Sequence, residues 1–172
     1  AGATGYSSGD VYRVAAGVSQ RLIVEEEDQW IDISLYNTTS ETTLSQAFVR
    51  EGGGAFDPTG RYYYHGENNS SAASIIKFDT SGDTLTNLAE VRPDDIANYY
   101  GSRTVIVSED GSRIFWAGVA LDDNLQTEWA IGELIYATSK DGRYAYAETA
   151  IYEINLRRQV MAMPTTTTVS GY

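Results

Sequence analysis

One pattern recurs along this sequence and limits what it can fold into: a short polar turn closing on Gly, then Arg, then an aromatic-rich run. It occurs as Phe56-Asp57-Pro58-Thr59-Gly60-Arg61-Tyr62-Tyr63-Tyr64, as Val107-Ser108-Glu109-Asp110-Gly111-Ser112-Arg113-Ile114-Phe115-Trp116, and as Thr138-Ser139-Lys140-Asp141-Gly142-Arg143-Tyr144-Ala145-Tyr146. A weaker copy, Ala16-Gly17-Val18-Ser19-Gln20-Arg21-Leu22-Ile23-Val24, stands upstream, so the turn glycines fall at 17, 60, 111 and 142. Glycine supplies the positive φ of a tight turn, and the flanking β-branched and aromatic residues favour a pleated, packed surface. Each copy predicts strand, turn, strand.

A second landmark follows each hairpin, an apolar strand running into Asp or Asn and a polar turn. The copies are Ile33–Thr39, Ile75–Ser81, Val119–Asp123 and Ile151–Leu156, with the Asp or Asn at 37, 79, 122 and 155. A further apolar run comes after each of them, in Thr43–Val49, Leu85–Val91, Thr127–Ile131 and Gln159–Met163. Two landmarks repeating in one order argue for internal duplication, and a four-stranded unit of roughly 40 residues has the size of a β-propeller blade. The expected fold is all-β: one propeller or partial propeller domain over 1–172, with blades near 9–50, 52–92, 103–132 and 133–164. No window carries a capped helical stripe, and Asp94–Tyr100 offers at most one turn.

The Ser-Glu-Asp-Gly-Ser-Arg-Ile-Phe and Ser-Lys-Asp-Gly-Arg-Tyr-Ala-Tyr hairpins, with the Ile-Lys-Phe-Asp-Thr and Tyr-Glu-Ile-Asn strand ends, resemble the repeats of YVTN and lactonase-like β-propellers. The resemblance is strong over 52–163, weak before that, and carried by structural residues. Propellers of that group usually close with about seven blades, so a chain with four departs from the pattern. An incomplete ring exposes apolar faces and strand edges at its two ends. Pairing of Val11–Val14 with Thr165–Val169 would close a ring within the chain; otherwise the expectation is self-association or a partner chain carrying further blades.

Composition narrows the function classes. Twelve basic residues against twenty-four acidic ones give a net charge of −12, whereas nucleic-acid binding rests on clustered Lys and Arg. There is no cysteine, which removes disulfides and thiolate chemistry. No stretch approaches the length of a membrane span and no signal peptide opens the chain. The small, polar start Ala1–Gly5 would suit either a processing site or a cut inside a longer chain.

Residues that carry chemistry are few. His65 is the sole histidine; without a second one, the expected reading is a surface or strand-end side chain with no catalytic role. Glu25-Glu26-Glu27-Asp28, Asp94-Asp95 and Asp122-Asp123-Asn124 read as solvated loops, with Ca²⁺ binding as the alternative, since no calcium-loop spacing is present. No acid pair for glycoside chemistry can be chosen, and the Gly-x-Ser-x-Gly elbow is absent. Gly52-Gly53-Gly54 reads as an inter-blade connection needing backbone freedom. Trp30, Trp116 and Trp129 are expected to pack between blades before they line any sugar or peptide groove. Sequons begin at Asn37, Asn68 and Asn69, at predicted turns.

These readings lead to a non-enzymatic module, outside the cell or on its surface, that recognises another protein or its own copy through loops or open edges. No catalytic or metal residue is assigned and no cofactor is expected. The resemblance implies an alternative, a lactonase-like enzyme subunit with a metal or cofactor in a central channel. A structural repeat of a filament or surface layer is the third reading.

Overall fold

The computed structural model describes residues 20–25, 28–68, 72–96 and 104–164, together with the backbone of 12–16 and 26. Sixteen strands are described, and they form four antiparallel sheets of four, each built from strands consecutive in sequence. Blade 1 holds β1 (Tyr12–Ala16), β2 (Arg21–Glu26), β3 (Trp30–Asn37) and β4 (Thr42–Arg50). Blade 2 holds β5 (Gly52–Phe56), β6 (Tyr62–Glu67), β7 (Ile75–Asp79) and β8 (Thr86–Val91). Blade 3 is the most compact, with β9 (Ile106–Val107), β10 (Ile114–Trp116), β11 (Val119–Leu121) and β12 (Thr127–Ala130). Blade 4 holds β13 (Ile135–Thr138), β14 (Tyr144–Ala147), β15 (Ala150–Glu153) and β16 (Arg158–Ala162).

The repeated turn explains itself in hydrogen bonds. In blade 2 the Gly60 N–H donates to the Asp57 carbonyl at 2.9 Å, and the Tyr62 N–H to Asp57 Oδ1 at 2.7 Å. Blade 3 repeats this with Gly111 on Ser108 at 2.8 Å and Arg113 on Ser108 Oγ at 3.0 Å. Blade 4 does so with Gly142 on Ser139 at 2.9 Å and Tyr144 on Ser139 Oγ at 2.8 Å. A short oxygen-bearing side chain opens the turn, and glycine takes the positive φ, 67° at Gly60, 71° at Gly111 and 67° at Gly142. In blade 1 the residue before the Arg is Gln20, at φ 64°. It fills the place assigned above to Gly17, which lies outside the described residues; a non-glycine there is why this copy is hard to recognise.

Consecutive sheets stack face to face. Ile23, Ile31, Ile33, Leu35 and Val49 of blade 1 meet Tyr63, Ile76 and Phe78 of blade 2. The other face of blade 2, through Tyr64 and Ile75, meets Ile114, Trp116, Val119 and Leu121. Phe115 and Ala120 then meet Ile135, Ala145, Ala147 and Tyr152. Alternation along each strand makes this possible, because neighbours in sequence point to opposite faces and serve two different cores. The first strands run side by side, β1 by β5, β5 by β9 and β9 by β13, and no outer strands share comparable contact among the described residues. The sheets therefore fan outward from a common inner side. Thr165–Val169, offered above as a closing strand, lies outside the described residues.

Polar groups latch the stack. Arg21 of blade 1 donates to the Thr80 and Gly82 carbonyls and to Asp83 Oδ1 in blade 2. Lys77 of blade 2, 8% exposed, donates to the Asp123 carbonyl of blade 3 at 2.6 Å and stands 4.1 Å from the Tyr62 ring centre. At the entry to blade 4, Glu133 accepts from Thr149 Oγ1 at 2.6 Å and from the Tyr152 hydroxyl at 2.7 Å, which fixes the segment arriving from blade 3 to the sheet it enters.

Two outcomes follow. A Cβ on Gly66 would lie 2.2 Å from Trp116 Nε1, so Gly66→Ala should separate blades 2 and 3 and lower stability by about 2 kcal/mol, read as the shift of a urea midpoint. The Thr149 bond, opposed by burial and aided by Tyr152, holds the Glu133 carboxyl below its ordinary value of 4.5. A depressed folded value means stability present above the unfolded value and lost as pH falls through the folded one. Glu133→Gln should accordingly flatten the loss of stability below that pH, measured by urea midpoints taken on either side of it.

Candidate functional site

The sequence placed Glu25 in a solvated acidic loop and His65 at the surface or a strand end; the structure buries both. Glu25 lies in β2, 2% exposed, and His65 in β6, fully buried, and they meet between blades 1 and 2. His65 Nδ1 lies 3.0 Å from Glu25 Oε1, and Nε2 lies 2.9 Å from the Arg50 carbonyl. The Tyr63 hydroxyl donates to the same Glu25 oxygen. A carbonyl oxygen only accepts, so Nε2 carries a proton, while the Nδ1–Oε1 contact holds another between ring and carboxylate. Glu25 Oε2 has no hydrogen-bond partner among the described residues. With every member at or below 2% exposure, the cluster offers no surface to a substrate. Its chemistry is cohesion between two sheets.

Gly52, Gly53 and Gly54 are not a connection. They open β5, and Gly52 and Gly54 are there for room: a Cβ would come within 2.1 Å of the Gly66 carbonyl and 2.3 Å of the Tyr63 hydroxyl, respectively. The glycines let β5 press against the rings of the polar cluster.

Of the three tryptophans, Trp116 is buried between blades 2 and 3, and Trp129 packs edge-on against Tyr152 at 5.4 Å. Trp30 departs from expectation. It is 46% exposed, stacked at 5.5 Å on Phe48, itself 67% exposed, with the Arg50 guanidinium 4.3 Å from its ring centre. A cleft of about 440 Å³ opens at the joint of blades 1 and 2, lined by Trp30, Val49 and Arg50 on one side and Phe78, Leu85 and Arg92 on the other, while strand alternation turns the Trp30 and Phe48 rings to the opposite side of blade 1. Sequence reasoning missed this site because β3 alternates, and its register with β4 decides which residues face away from blade 2. The signal was Trp30 and Asp32 out of phase with Ile31, Ile33 and Leu35.

The acidic loops have local work. Asp122 Oδ1 accepts from the Asn124 and Gln126 N–H groups at 2.9 and 2.8 Å. Among the described residues no cluster of three His, Asp or Glu side chains is arranged to hold a metal. Asn37 closes its turn by accepting from Thr39 and Ser40, and Asn68 is 4% exposed, so it is a buried side chain rather than an open glycan acceptor. Asn69 lies outside the described residues.

No family model matches the chain, and no curated protein matches its sequence. Solved structures do match its shape. BamB from Moraxella catarrhalis superposes over 91% of this chain and 54% of its own, with a TM-score of 0.62 and 11% identity. TolB from Acinetobacter baumannii superposes over 90% of this chain and 44% of its own, with a TM-score of 0.58 and 15% identity. Both are β-propeller proteins. The fold is that of a β-propeller. The chain spans about half the length of these structures, and identity at this level speaks for fold alone.

Removing one partner of a buried pair strands the other. Glu25→Ala should cost about 3 kcal/mol in urea unfolding. The triple change Glu25→Leu, Tyr63→Phe, His65→Leu, which removes the whole polar set, should cost much less. Equal losses would show that the cluster does more than join two sheets.

Proposed function

We propose that this chain is a non-enzymatic β-propeller module that works outside the cell or on its surface by binding protein through exposed sheet faces and outer edges. The observation that carries this reading is where its large exposed apolar side chains stand. Trp30 and Phe48 stand together on β3 and β4 of blade 1, away from the three inter-blade cores; Leu88, Val160 and Met161 are exposed on the fourth strands of blades 2 and 4, and Tyr136 on β13, Leu156 and Met163 are exposed as well. Exposed apolar groups in contact mark interaction surfaces, and Trp30 stacked on Phe48 with Arg50 over its ring is the composition that protein interfaces favour at their centres. The assignment of the repeats to the YVTN and lactonase-like group belongs to the same reading and rests on the Ser-turn-Arg hairpins at 108–113 and 139–143.

The enzymatic alternative makes an opposite demand. The purified chain, assayed with Ca²⁺, Mg²⁺, Mn²⁺ or Zn²⁺ against lactone and ester substrates, should show no turnover above buffer. Metal-dependent turnover would overturn the proposal.

A further inference from the structure

Blade 4, the last sheet of the described residues, has a face that repeats one already covered inside the chain. Gly60-Arg61 leads into Tyr62-Tyr63-Tyr64, and Gly142-Arg143 into Tyr144-Ala145-Tyr146. The two runs are also built alike. Arg61 lies 4.9 Å from the Tyr62 ring centre and 3.6 Å from Asp79, the register partner of Tyr62. Arg143 lies 5.0 Å from the Tyr144 ring centre and 3.1 Å from Glu153, the register partner of Tyr144.

Their surroundings differ. Tyr62 and Tyr64 turn toward blade 3 and join its core with Ile114 and Trp116. The matching Tyr144 and Tyr146 turn away from blade 3, whose core takes Ala145 and Ala147 instead. Both tyrosines are half-buried, Ile151 stands opposite Tyr146, and Met161, opposite Ile151, is 57% exposed. Blade 4 thus presents the face that blade 2 uses to receive its neighbour, and no further sheet among the described residues packs on it.

At the other end, blade 1 gives Ile23, Ile31, Ile33 and Leu35 to blade 2 and turns Leu22, Val24, Trp30 and Phe48 the opposite way. Ser34 on that side is satisfied by a 3.0 Å bond from Gln46 Nε2, while Asp32 and Arg50, opposite Phe48 and Trp30, share the face, so whatever covers it must leave both charges at the rim or pair them.

We propose that a second copy of this chain covers both faces, with blade 4 of each copy packed on blade 1 of the other about a twofold axis. This rests on the protein-binding reading above and names the partner. Sheet-on-sheet stacking occurs at all three inter-blade joints, and the new contact continues it. The chain matches 54% of BamB and 44% of TolB, so two copies supply chain on the scale of one such propeller. A head-to-tail contact that recurs under a twofold rotation closes on itself and leaves no blade open.

The test is the mass of the full chain in solution by light scattering across a micromolar range. The expected mass is twice 18.8 kDa. Tyr146→Asp on the blade 4 face and Phe48→Asp on the blade 1 face should each raise the dissociation constant by at least about tenfold, with far-ultraviolet dichroism unchanged. An equimolar mixture of the two variants should recover dimers that neither forms alone, because each mixed pair keeps one unaltered contact. If Tyr146→Asp does not fold, Met161→Asp serves as the blade 4 variant. A folded monomer at every concentration overturns the second copy and leaves the non-enzymatic reading untouched, since only metal-dependent turnover in the lactone assay overturns that. A dimer broken by the blade 4 variant alone and not rescued by mixing, or open-ended growth, overturns the twofold head-to-tail arrangement.

Discussion

A β-sheet with apolar side chains on both faces is stable only between two covers, and that requirement organises this molecule. Ile23 and Ile33 have a place because Tyr63 and Phe78 lie against them, and Tyr64 because Trp116 does. A fully buried side chain of this size contributes about 1.5–3 kcal/mol, so each joint between sheets outweighs any single turn. The fan shape follows from first strands that lie close together while the outer strands diverge.

Apolar stacking is non-directional and sets distance better than register. Register comes from polar contacts that tolerate one alignment. Arg21 reaches the 80–83 turn, Lys77 reaches the Asp123 carbonyl, and Glu133 takes hydrogen bonds from Thr149 and Tyr152. The Glu25–Tyr63–His65 set is the most deeply buried of these, and the glycines of β5 are shaped around it. Such groups cost desolvation and repay it in specificity of alignment.

What could be read from the sequence was local. The turns at 57–62, 108–113 and 139–144 depend on residues within five positions of one another, so their chemistry is written in adjacent letters, and four four-stranded sheets follow from their repetition. The copy at 20–21 was blurred because Gln20 stands where the others have glycine. What joins blades was not legible. Glu25 and His65 are forty positions apart, and an acidic run looks the same whether its first member is solvated or aimed into a joint. Trp30 was misplaced for a related reason: alternation shows that residues divide between two faces, while only the stacking order tells which face is covered.

Sheet order has a consequence for how the chain reaches this structure. In all four sheets every strand pairs with its neighbour in sequence, so no strand waits for a distant segment before its backbone is satisfied. Loop-closure entropy is met in short steps, hairpin by hairpin, and long-range search is left to docking of finished sheets. Docking then proceeds joint by joint, each finished sheet covering one face of the sheet that follows it.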